Sequence, residues 1–400
     1  MVSTLLKVLT ASVVLAATFY QTFLKGFIFD SLGYGRVLSP LSTFNVHCEK
    51  VDNVGLEACE DMWLHEPSGL LYLACSKSLS RSQWFPPSDK LNASGRFSND
   101  RFAILDTRAS GPISERLRWM TTSNYDGNHG DGVLVLHGFD IKADGPSESP
   151  KLKILLNNHR PPMDPETGAL LDATKLGGNS TIEIFEAVLG ETTMKHIRTY
   201  SDPLIDTPNE VAWVSDDSFL FTNDHNSKVG FRRGLEVPLS SGGNVGYCDL
   251  EGCRILSSAP QAYSNGIIHG TDGLIYVAHS ATGDVQVNEL QLESSSLKLL
   301  DTIKIPYPID NLAQDSNGDI FVASFPVLHK FLASTESPFD ILPPTAAWRI
   351  SKDGNGAYQV DKVLEDDGSV LPAATVVVHD PQTGRMFLGG ELVIFNYSSG

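Results

Sequence analysis

The chain has 400 residues, of which 41% are hydrophobic and 20% are charged. This composition is typical of a globular protein and excludes a disordered, collagenous or multi-span membrane protein. Acidic residues outnumber basic ones by 48 to 30, and the formal net charge of −18 disfavours nucleic acid as a partner but is compatible with hard cations.

The N-terminus carries an apolar stretch over residues 8–24, between Lys7 and Lys25. A basic start followed by an apolar run is typical of a secretory leader. The run also approaches membrane-spanning length, so an uncleaved signal anchor is one alternative and a buried core helix is another. We expect residues 1–36 to be this leader or anchor with a linker, and residues 37–400 to form one catalytic domain on the lumenal or extracellular side.

Three Asn-X-Ser/Thr triplets agree with a secretory route, because such triplets are acceptors for N-glycosylation. They begin at Asn92, Asn179 and Asn396. We therefore expect a glycoprotein that is secreted or held at a membrane by its N-terminal segment.

The five cysteines include no CxxC pair, which disfavours a structural zinc site. Cys248 and Cys253 flank a short loop and could form a disulfide. Cys48 and Cys59 could form another, and the alternative is that some of the cysteines are buried free thiols.

A turn containing Gly or Asp recurs along the chain, followed each time by a short run rich in β-branched or aromatic residues. This pattern predicts buried strands that begin after turns. The runs are Gly69–Cys75, Asp217–Asn223, Gly273–His279, Gly318–Ser324 and Gly384–Gly390, and further strand candidates are Phe102–Leu105, Val133–Leu136, Leu152–Leu156 and Thr181–Ala187.

The spacing from Gly273 to Gly318 is about that of one four-stranded propeller blade. A four-stranded sheet repeated around an axis protects its edges without helices, so the sequence predicts an all-β, six-bladed β-propeller with an N-terminal hydrophobic helix. A pair of β-sandwiches or a mixed α/β fold is the alternative. Surface loops are predicted at Pro86–Asn99, Asp144–Pro150 and Ser227–Gly246.

Short polar clusters rich in carboxylate and amide oxygens lie at the ends of several apolar runs. The loops at one end of a propeller channel converge, and oxygen ligands of this kind are those that calcium prefers. The alternative is that these residues only form turns, which Asp and Asn favour in any chain. The clusters are Glu60-Asp61, Asn209-Glu210, Ser264-Asn265-Gly266, Asp310-Asn311 and Asn223-Asp224-His225.

His137 and His159 each follow an apolar run, at the predicted end of a strand. Beside a cation, a histidine in this position can act as a general base, and the alternative is a histidine that caps the strand or bonds a carbonyl. The sequence contains no G-x-S-x-G elbow, no G-x-G-x-x-G helix opening and no P-loop, which disfavours a serine triad and a nucleotide site.

Together these fragments resemble the serum paraoxonase/arylesterase family of calcium-dependent lactonases, which are six-bladed β-propellers. The resemblance runs in order over nearly the whole chain, and the ordered set is more specific than any single fragment. The fragments are Tyr20-Gln-Thr22, Glu60-Asp61, His137-Gly138, Asn158-His159-Arg-Pro161, Asn209-Glu210-Val-Ala212, Thr222-Asn-Asp-His225, Asn265-Gly-Ile267 and Asp310-Asn311.

The resemblance implies two calcium ions and a pair of catalytic histidines, which His137 and His159 match. The matching positions imply a catalytic ion held by Glu60, Asn209, Asn265, Asp310 and Asn311. They also imply a deeper structural ion held by Asp61, Glu210 and the backbone carbonyl of Phe139.

The chain departs from the family at four places. The interval from His137 to His159 is slightly longer, which predicts an insertion at Ala143–Pro150. Glu210 stands where the family has Asp, so a longer side chain must fit the second ion. The family's late cysteine is replaced near Asn396-Tyr-Ser398, which leaves Cys48 without the partner that the resemblance implies. The stretch after His225 is polar where the family has an apolar lid, which leaves substrate size and lipoprotein attachment open.

The function implied by the resemblance is hydrolysis of lactones and aryl esters, with phosphotriesters as a side reaction. One alternative is a gluconolactonase-like or strictosidine-synthase-like propeller. Another is a non-catalytic propeller that binds a ligand and uses calcium only for stability. The expected partners are a small lactone or ester and, through the N-terminal segment, a membrane, whereas the oligomeric state stays open.

Overall fold

An N-terminal helix precedes the first strand in the computed structural model, which describes residues 2–51, 54–98, 100–127, 131–145, 149–237, 239, 241–256, 258–391 and 396–399. Helix α1 spans Val2–Phe19, and helical turns continue over Tyr20–Leu24 and Phe27–Ser31. The span Leu6–Ser31 is long and apolar enough to cross a membrane, and its apolar window is not buried against the rest of the chain. The predicted apolar N-terminal helix is therefore confirmed.

Strands dominate the rest of the described chain, and the other helices are short. The strands of the first half are β1 (His47–Lys50), β2 (Cys59–His65), β3 (Leu70–Cys75), β4 (Trp84–Phe85), β5 (Lys90–Leu91), β6 (Arg101–Asp106), β7 (Leu117–Trp119), β8 (Thr121–Ser123), β9 (Leu136–Asp144), β10 (Lys151–Asn158), β11 (Thr181–Val188) and β12 (Thr193–Tyr200). The short helices are α2 (Ser78–Arg81), α3 (Ile113–Arg116), α4 (Ala173–Leu176), α5 (Phe231–Glu236) and α6 (Leu328–Ser334).

The second half repeats a four-strand unit with little variation. Its strands are β13 (Pro208–Trp213), β14 (Phe219–Asn223), β15 (Asn244–Asp249), β16 (Gly252–Ile255), β17 (Ser264–His269), β18 (Ile275–His279), β19 (Asp284–Gln291), β20 (Ser296–Lys304), β21 (Ile309–Gln314), β22 (Ile320–Ser324), β23 (Thr345–Lys352), β24 (Tyr358–Asp366), β25 (Val376–Asp380), β26 (Arg385–Gly389) and β27 (Asn396–Ser399).

In the described residues these strands form six sheets of four or five strands, and β4 and β5 form a separate two-stranded ribbon. The sheets are β2-β3-β6-β7, β9-β10-β11-β12 with β8 at its outer edge, β13-β14-β15-β16, β17-β18-β19-β20, β21-β22-β23-β24 and β25-β26-β27-β1. Neighbouring strands are antiparallel except β8, which runs parallel to β12.

The first strand of each sheet contacts the first strands of two other sheets. The contacts close a ring in the order β2, β9, β13, β17, β21, β25 and back to β2. Strands arranged in this way surround a central channel, so the predicted all-β propeller is confirmed. Residues that end an innermost strand therefore meet at the channel even when they are far apart in sequence.

The last sheet contains both an early and a late strand of the chain. Strand β1 pairs with β27, and Cys48 lies opposite Ser398 in this register. The sheet is thus closed by backbone hydrogen bonds, with Ser398 at the position that faces the cysteine. Cys48 is a free thiol.

One predicted disulfide is confirmed and the other is wrong. Cys248 and Cys253 are bonded. Cys59 is bonded to Cys75 rather than to Cys48, because Cys59 and Cys75 face each other on the paired strands β2 and β3.

The core consists of apolar clusters that lie between neighbouring sheets. The ring of Phe102 on β6, for example, packs edge-on against that of Phe139 on β9, with centroids 4.8 Å apart. Burying a side chain of this size contributes about 1.5–3 kcal/mol. Packing of this kind holds the innermost strands in place around the channel.

Some sequence predictions differ from the structure in detail. The strand predicted at Val133–Leu136 begins only at Leu136. The Val135 amide just before it donates to a side-chain oxygen, Asn158 Oδ1, and not to the carbonyl of a neighbouring strand. The loop predicted at Ser227–Gly246 contains α5 and the start of β15. Arg233 in that helix is buried, because its guanidinium donates to the carbonyls of Pro86 and Pro87.

The other two predicted loops are only partly described. Pro86–Asn99 holds short helical turns and β5, and Asn99 itself lies outside the described residues. Asp144–Pro150 begins at the last residue of β9, and its residues 146–148 also lie outside the described part of the chain.

Candidate functional site

The residues proposed for the catalytic ion lie where an innermost strand loses register with its neighbour. A β-bulge inserts unpaired residues and re-aims their side chains, and bulges are common next to active sites. The shifts lie between Cys59 and Asp61, Pro208 and Val211, Ser264 and Ile267, and Ile309 and Leu312. They contain Glu60, Asn209, Asn265, Asp310 and Asn311, which therefore leave the ladder at the channel.

Four buried oxygens of this group have no hydrogen-bond partner in the described structure. They are Glu60 Oε2, Asn209 Oδ1, Asn265 Oδ1 and Asn311 Oδ1. The opposite atoms of some of these side chains are engaged: Asn311 Nδ2 donates to Glu60 Oε1 at 2.7 Å, and Asn265 Nδ2 donates to Ser280 Oγ at 2.9 Å. A buried acceptor without a partner costs about 1–3 kcal/mol, so a bound cation would relieve a large cost at this point.

Asp310 adds a carboxylate to the group and lines the same cavity as Glu60, Asn209 and Asn265. Burial, and then the charges of Glu60 and Glu391, raise the pKa of Asp310 well above its usual value. No three acidic, His or Cys side chains converge on one point in the part of the chain that is described. Two carboxylates with three amides therefore make up the donor set, and these hard oxygens fit calcium.

The residues implied for a second ion are also buried, but their oxygens are engaged differently. Asp61 accepts hydrogen bonds from the backbone amides of Met62 and Phe139, and Glu210 Oε1 accepts one from Val211. Burial, and then the charge of Glu60, raise the pKa of Asp61 well above its usual value. Burial, and then the charges of Asp61 and Glu60, do the same for the pKa of Glu210. Neither carboxylate shows the buried unpartnered oxygen that marks the first group, so the fit to a second ion is weaker.

His137 and His159 form a hydrogen-bonded pair beside Glu60. His137 Nδ1 lies 2.9 Å from His159 Nε2, and His137 Nε2 lies 3.5 Å from Glu60 Oε1. His159 Nδ1 lies 3.0 Å from Ser180 Oγ. Burial, and then the charges of His137, Arg81 and Arg233, hold the pKa of His159 well below its usual value, so His159 is neutral.

The backbone next to His137 is held by two buried charged side chains. Arg81 Nη2 donates to the carbonyl of Leu136, and Asp100 Oδ2 accepts from the Leu136 amide at 3.0 Å. The Arg81 guanidinium also lies over the ring of Phe85, 4.4 Å from its centroid. Phe85 in turn contacts the ring of His137 edge-on, with centroids 4.7 Å apart. These contacts fix the orientation of His137 from two sides.

These groups open into one cavity of about 340 Å³. Its wall is largely apolar and is formed by loops from several sheets together with α5 and α6. Phe325, Phe331 and Leu328 pack together in this wall, and Tyr263 and His225 contact each other edge-on. An apolar cavity with a few convergent polar groups is the usual form of a small-molecule site.

One buried acidic residue of this cavity was missed by the sequence reasoning. Glu391 is buried in the wall, and Ser88 Oγ donates to its Oε1 at 3.1 Å. Burial, partly opposed by the charge of Arg81, raises the pKa of Glu391 to about 7. The available signal was its position directly after the predicted strand Gly384–Gly390, as in the other acidic clusters.

Two of the predicted glycosylation acceptors have exposed side chains, namely Asn92 and Asn179. Asn396 falls in β27, whose side chains lie outside the described part of the structure. Exposure makes the first two accessible to a transferase, and their modification stays a prediction.

The protein is thus a propeller in which side-chain oxygens lie at the channel beside a pair of histidines. The family model named Arylesterase matches residues 172–395, which is more than half of the chain. The chain therefore belongs to the arylesterase family, as the sequence fragments predicted.

Curated relatives agree with this assignment. The chain is 27% identical over 224 residues to serum paraoxonase/arylesterase 1 of Rattus norvegicus, covering 55% of this chain and 61% of that protein. It is 29% identical over 215 residues to serum paraoxonase/arylesterase 2 of Homo sapiens, covering 52% of this chain and 58% of that protein. The matches thus span about three-fifths of the length of these relatives.

Solved structures share the architecture at low sequence identity. A luciferin-regenerating enzyme superposes with a TM-score of 0.48 at 11% identity, covering 89% of this chain and 96% of that one. A putative gluconolactonase superposes with a TM-score of 0.44 at 11% identity, covering 93% of this chain and 95% of that one. Similarity at this level carries no information about activity.

Proposed function

We propose that the protein is a calcium-dependent hydrolase of lactones and aryl esters, built on a propeller in which each of the six sheets is one blade. The observation that carries this proposal is the set of four unpartnered oxygens on Glu60, Asn209, Asn265 and Asn311, next to a histidine pair. Family membership supports ester and lactone hydrolysis as the class of reaction.

The histidine pair is suited to take a proton from water. His159 Nδ1 lies 3.0 Å from Ser180 Oγ, and its Nε2 lies 2.9 Å from His137 Nδ1. We assign the proton of neutral His159 to Nδ1, which then donates to Ser180 Oγ and leaves the Nε2 lone pair to accept from His137 Nδ1–H. This arrangement leaves the lone pair of His137 Nε2 on the side of Glu60 and the cavity. Protonation there creates an imidazolium that His159 stabilises, and general base catalysis of this kind contributes about 10²–10⁴-fold.

The donor set determines what a bound ion can do. Calcium held by Glu60, Asn209, Asn265, Asp310 and Asn311 would polarise the substrate carbonyl and stabilise the developing oxyanion. Three of these five side chains are neutral amides. They leave more net positive charge on the ion than carboxylates would, so the ion stays electrophilic. The apolar wall around Phe325 and Phe331 excludes water from the rest of the cavity and receives the acyl or aryl group. The proposal requires one ion, and a second at Asp61, Glu210 and the Phe139 carbonyl stays an expectation of the resemblance.

The N-terminal segment supports a secretory location. The apolar span Leu6–Ser31 and the two disulfides fit a protein that is secreted or anchored in a membrane. We propose residues 1–36 as the leader or anchor with its linker and residues 37–400 as the catalytic domain. The propeller would then lie on the lumenal or extracellular side.

Hydrolysis of a panel of lactones and aryl esters, measured with calcium, with a chelator and after calcium is restored, tests the function. The expected result is turnover that the chelator abolishes and calcium restores. His137→Gln should abolish turnover at neutral pH, whereas the control His196→Gln, on the outer strand β12, should retain it. Full activity in the chelator, or in His137→Gln, would overturn the proposal. A protein that binds calcium but turns over no substrate would indicate a non-catalytic propeller.

A further inference from the structure

The wall of the cavity contains a buried carboxyl group that neither the cation site nor the histidine pair uses. Glu391 is 5% exposed and lines the cavity beside Glu60 and Asp310. All three carboxyl groups line this one cavity. The charge of Glu60 acts on Glu391, and the charge of Glu391 acts on Asp310.

The surroundings of Glu391 leave its charge without a direct partner. Its one side-chain hydrogen bond among the described residues comes from Ser88 Oγ to Oε1. No Lys, Arg or His nitrogen of the described chain lies within ion-pair distance of it. Arg81 is close enough to influence it but donates to the Leu136 carbonyl and stacks on Phe85. Lys90 is paired with Glu336 instead.

A buried carboxyl without an ion pair is costly, so its presence on the wall of a binding cavity indicates a use for it. The part of the wall formed by Phe325, Leu328 and Phe331 is apolar and offers no partner to a polar substituent. The chain as a whole has a formal net charge of −18, and Asp89 lines the same cavity near its surface. Four carboxyl groups, those of Glu60, Asp89, Asp310 and Glu391, line the cavity together with the guanidinium of Arg233, so the local field favours a cation over an anion.

We propose that Glu391 is a specificity-determining residue that binds an ammonium group on the acyl part of the substrate. This inference rests on the proposed ester and lactone hydrolysis and adds a substrate class to it. The carboxylate oxygen not engaged by Ser88 accepts a charge-assisted hydrogen bond from the ammonium. The rest of the acyl chain lies along the apolar wall formed by Phe325, Leu328 and Phe331.

Two aryl esters of equal shape test this role. Phenyl heptanoate and its ω-ammonium analogue, in which the ammonium replaces the terminal methyl group, differ only in the feature that Glu391 would bind. The ratio of kcat/KM for the ammonium ester to that for the methyl ester should fall about tenfold to hundredfold in Glu391→Gln, the range for one charge-assisted hydrogen bond. Glutamine keeps an acceptor for Ser88, and thermal unfolding confirms that the variant is folded.

Asp89→Asn is the matched control for a general effect of negative charge. The side chain of Asp89 is 70% exposed, so solvent screens it and the ratio should change much less than in Glu391→Gln. Equal loss on both esters in Glu391→Gln would overturn the inference, because it would indicate a role in the chemistry or in folding. An unchanged ratio would overturn it as well. Absence of turnover of either ester by the calcium-loaded wild-type protein would instead refute the proposed function.

Discussion

Replacing Asn209 by Leu should change the response of the protein to calcium more than its stability without calcium. Asn209 Oδ1 is buried and unpartnered, and the backbone carbonyl of Asn209 still accepts from Asn157 Nδ2 after the change. Removing an unsatisfied acceptor relieves about 1–3 kcal/mol, so in a chelator the variant should be at least as stable as the wild type. In calcium the variant lacks one ligand, and a hundredfold weaker site loses about 2.7 kcal/mol of ligand-induced stabilisation.

Urea unfolding with saturating calcium and with a chelator measures this difference. Asn288→Leu is the matched control, because Asn288 Oδ1 is also buried and unpartnered but lies on β19, the third strand of its sheet. Calcium should stabilise the wild type and Asn288→Leu equally, and Asn209→Leu less by about 3 kcal/mol. An equal calcium response in all three proteins would refute the assignment of Asn209 as a ligand.

Three further predictions concern the stability of parts of the protein other than Asn209. Burial lowers the pKa of His279 to about 4, so the unfolded state, with a pKa of about 6.5, binds the extra proton and stability falls as the pH drops from about 6.5 to about 4. His279→Gln should reduce the stability lost between pH 7 and pH 5 by about 2 kcal/mol, and an unchanged loss in urea unfolding would contradict this. A Cβ on Gly138 would lie 2.4 Å from Glu210 Oε1, so Gly138→Ala should cost about 1–3 kcal/mol. Adding Glu210→Asp to Gly138→Ala should recover part of that cost, because the shorter side chain relieves the contact. If the effects of the two changes on the free energy of unfolding simply add, the contact is excluded. Ser398→Cys, opposite Cys48, should form a disulfide that adds about 2–4 kcal/mol under oxidising conditions, detected by thermal unfolding with and without reductant. Two free thiols in the oxidised variant would contradict the register.

The sequence was sufficient for the propeller because its strands repeat a local pattern that needs no tertiary information. Turns with Gly or Asp before apolar runs located strands such as β18 and β22 to within two residues at each end. The pairing of Cys248 with Cys253 was also local, since the two residues face each other in one hairpin. The disulfide partner of Cys59 was harder to predict, because it depends on which strands become neighbours in the folded protein.

The site was less accessible to sequence reasoning, since it depends on how strands deviate from ideal pairing. The bulges that hold Asn209 and Asn265 have no sequence signature beyond a polar pair after a turn. The only indication of Glu391 in the sequence was weak, namely an acidic residue directly after a predicted strand. The support of Leu136 by Arg81 and Asp100 joins segments that are distant in the chain, so only the folded structure reveals it.

A crystal structure grown with calcium tests most directly whether the channel oxygens hold an ion. The expected result is one ion within about 2.3–2.6 Å of ligand oxygens from Glu60, Asn209, Asn265, Asp310 and Asn311, with an anomalous signal for calcium. An ion bound elsewhere, with these five side chains satisfied by water or by one another, would contradict the proposed centre and the reaction assigned to it.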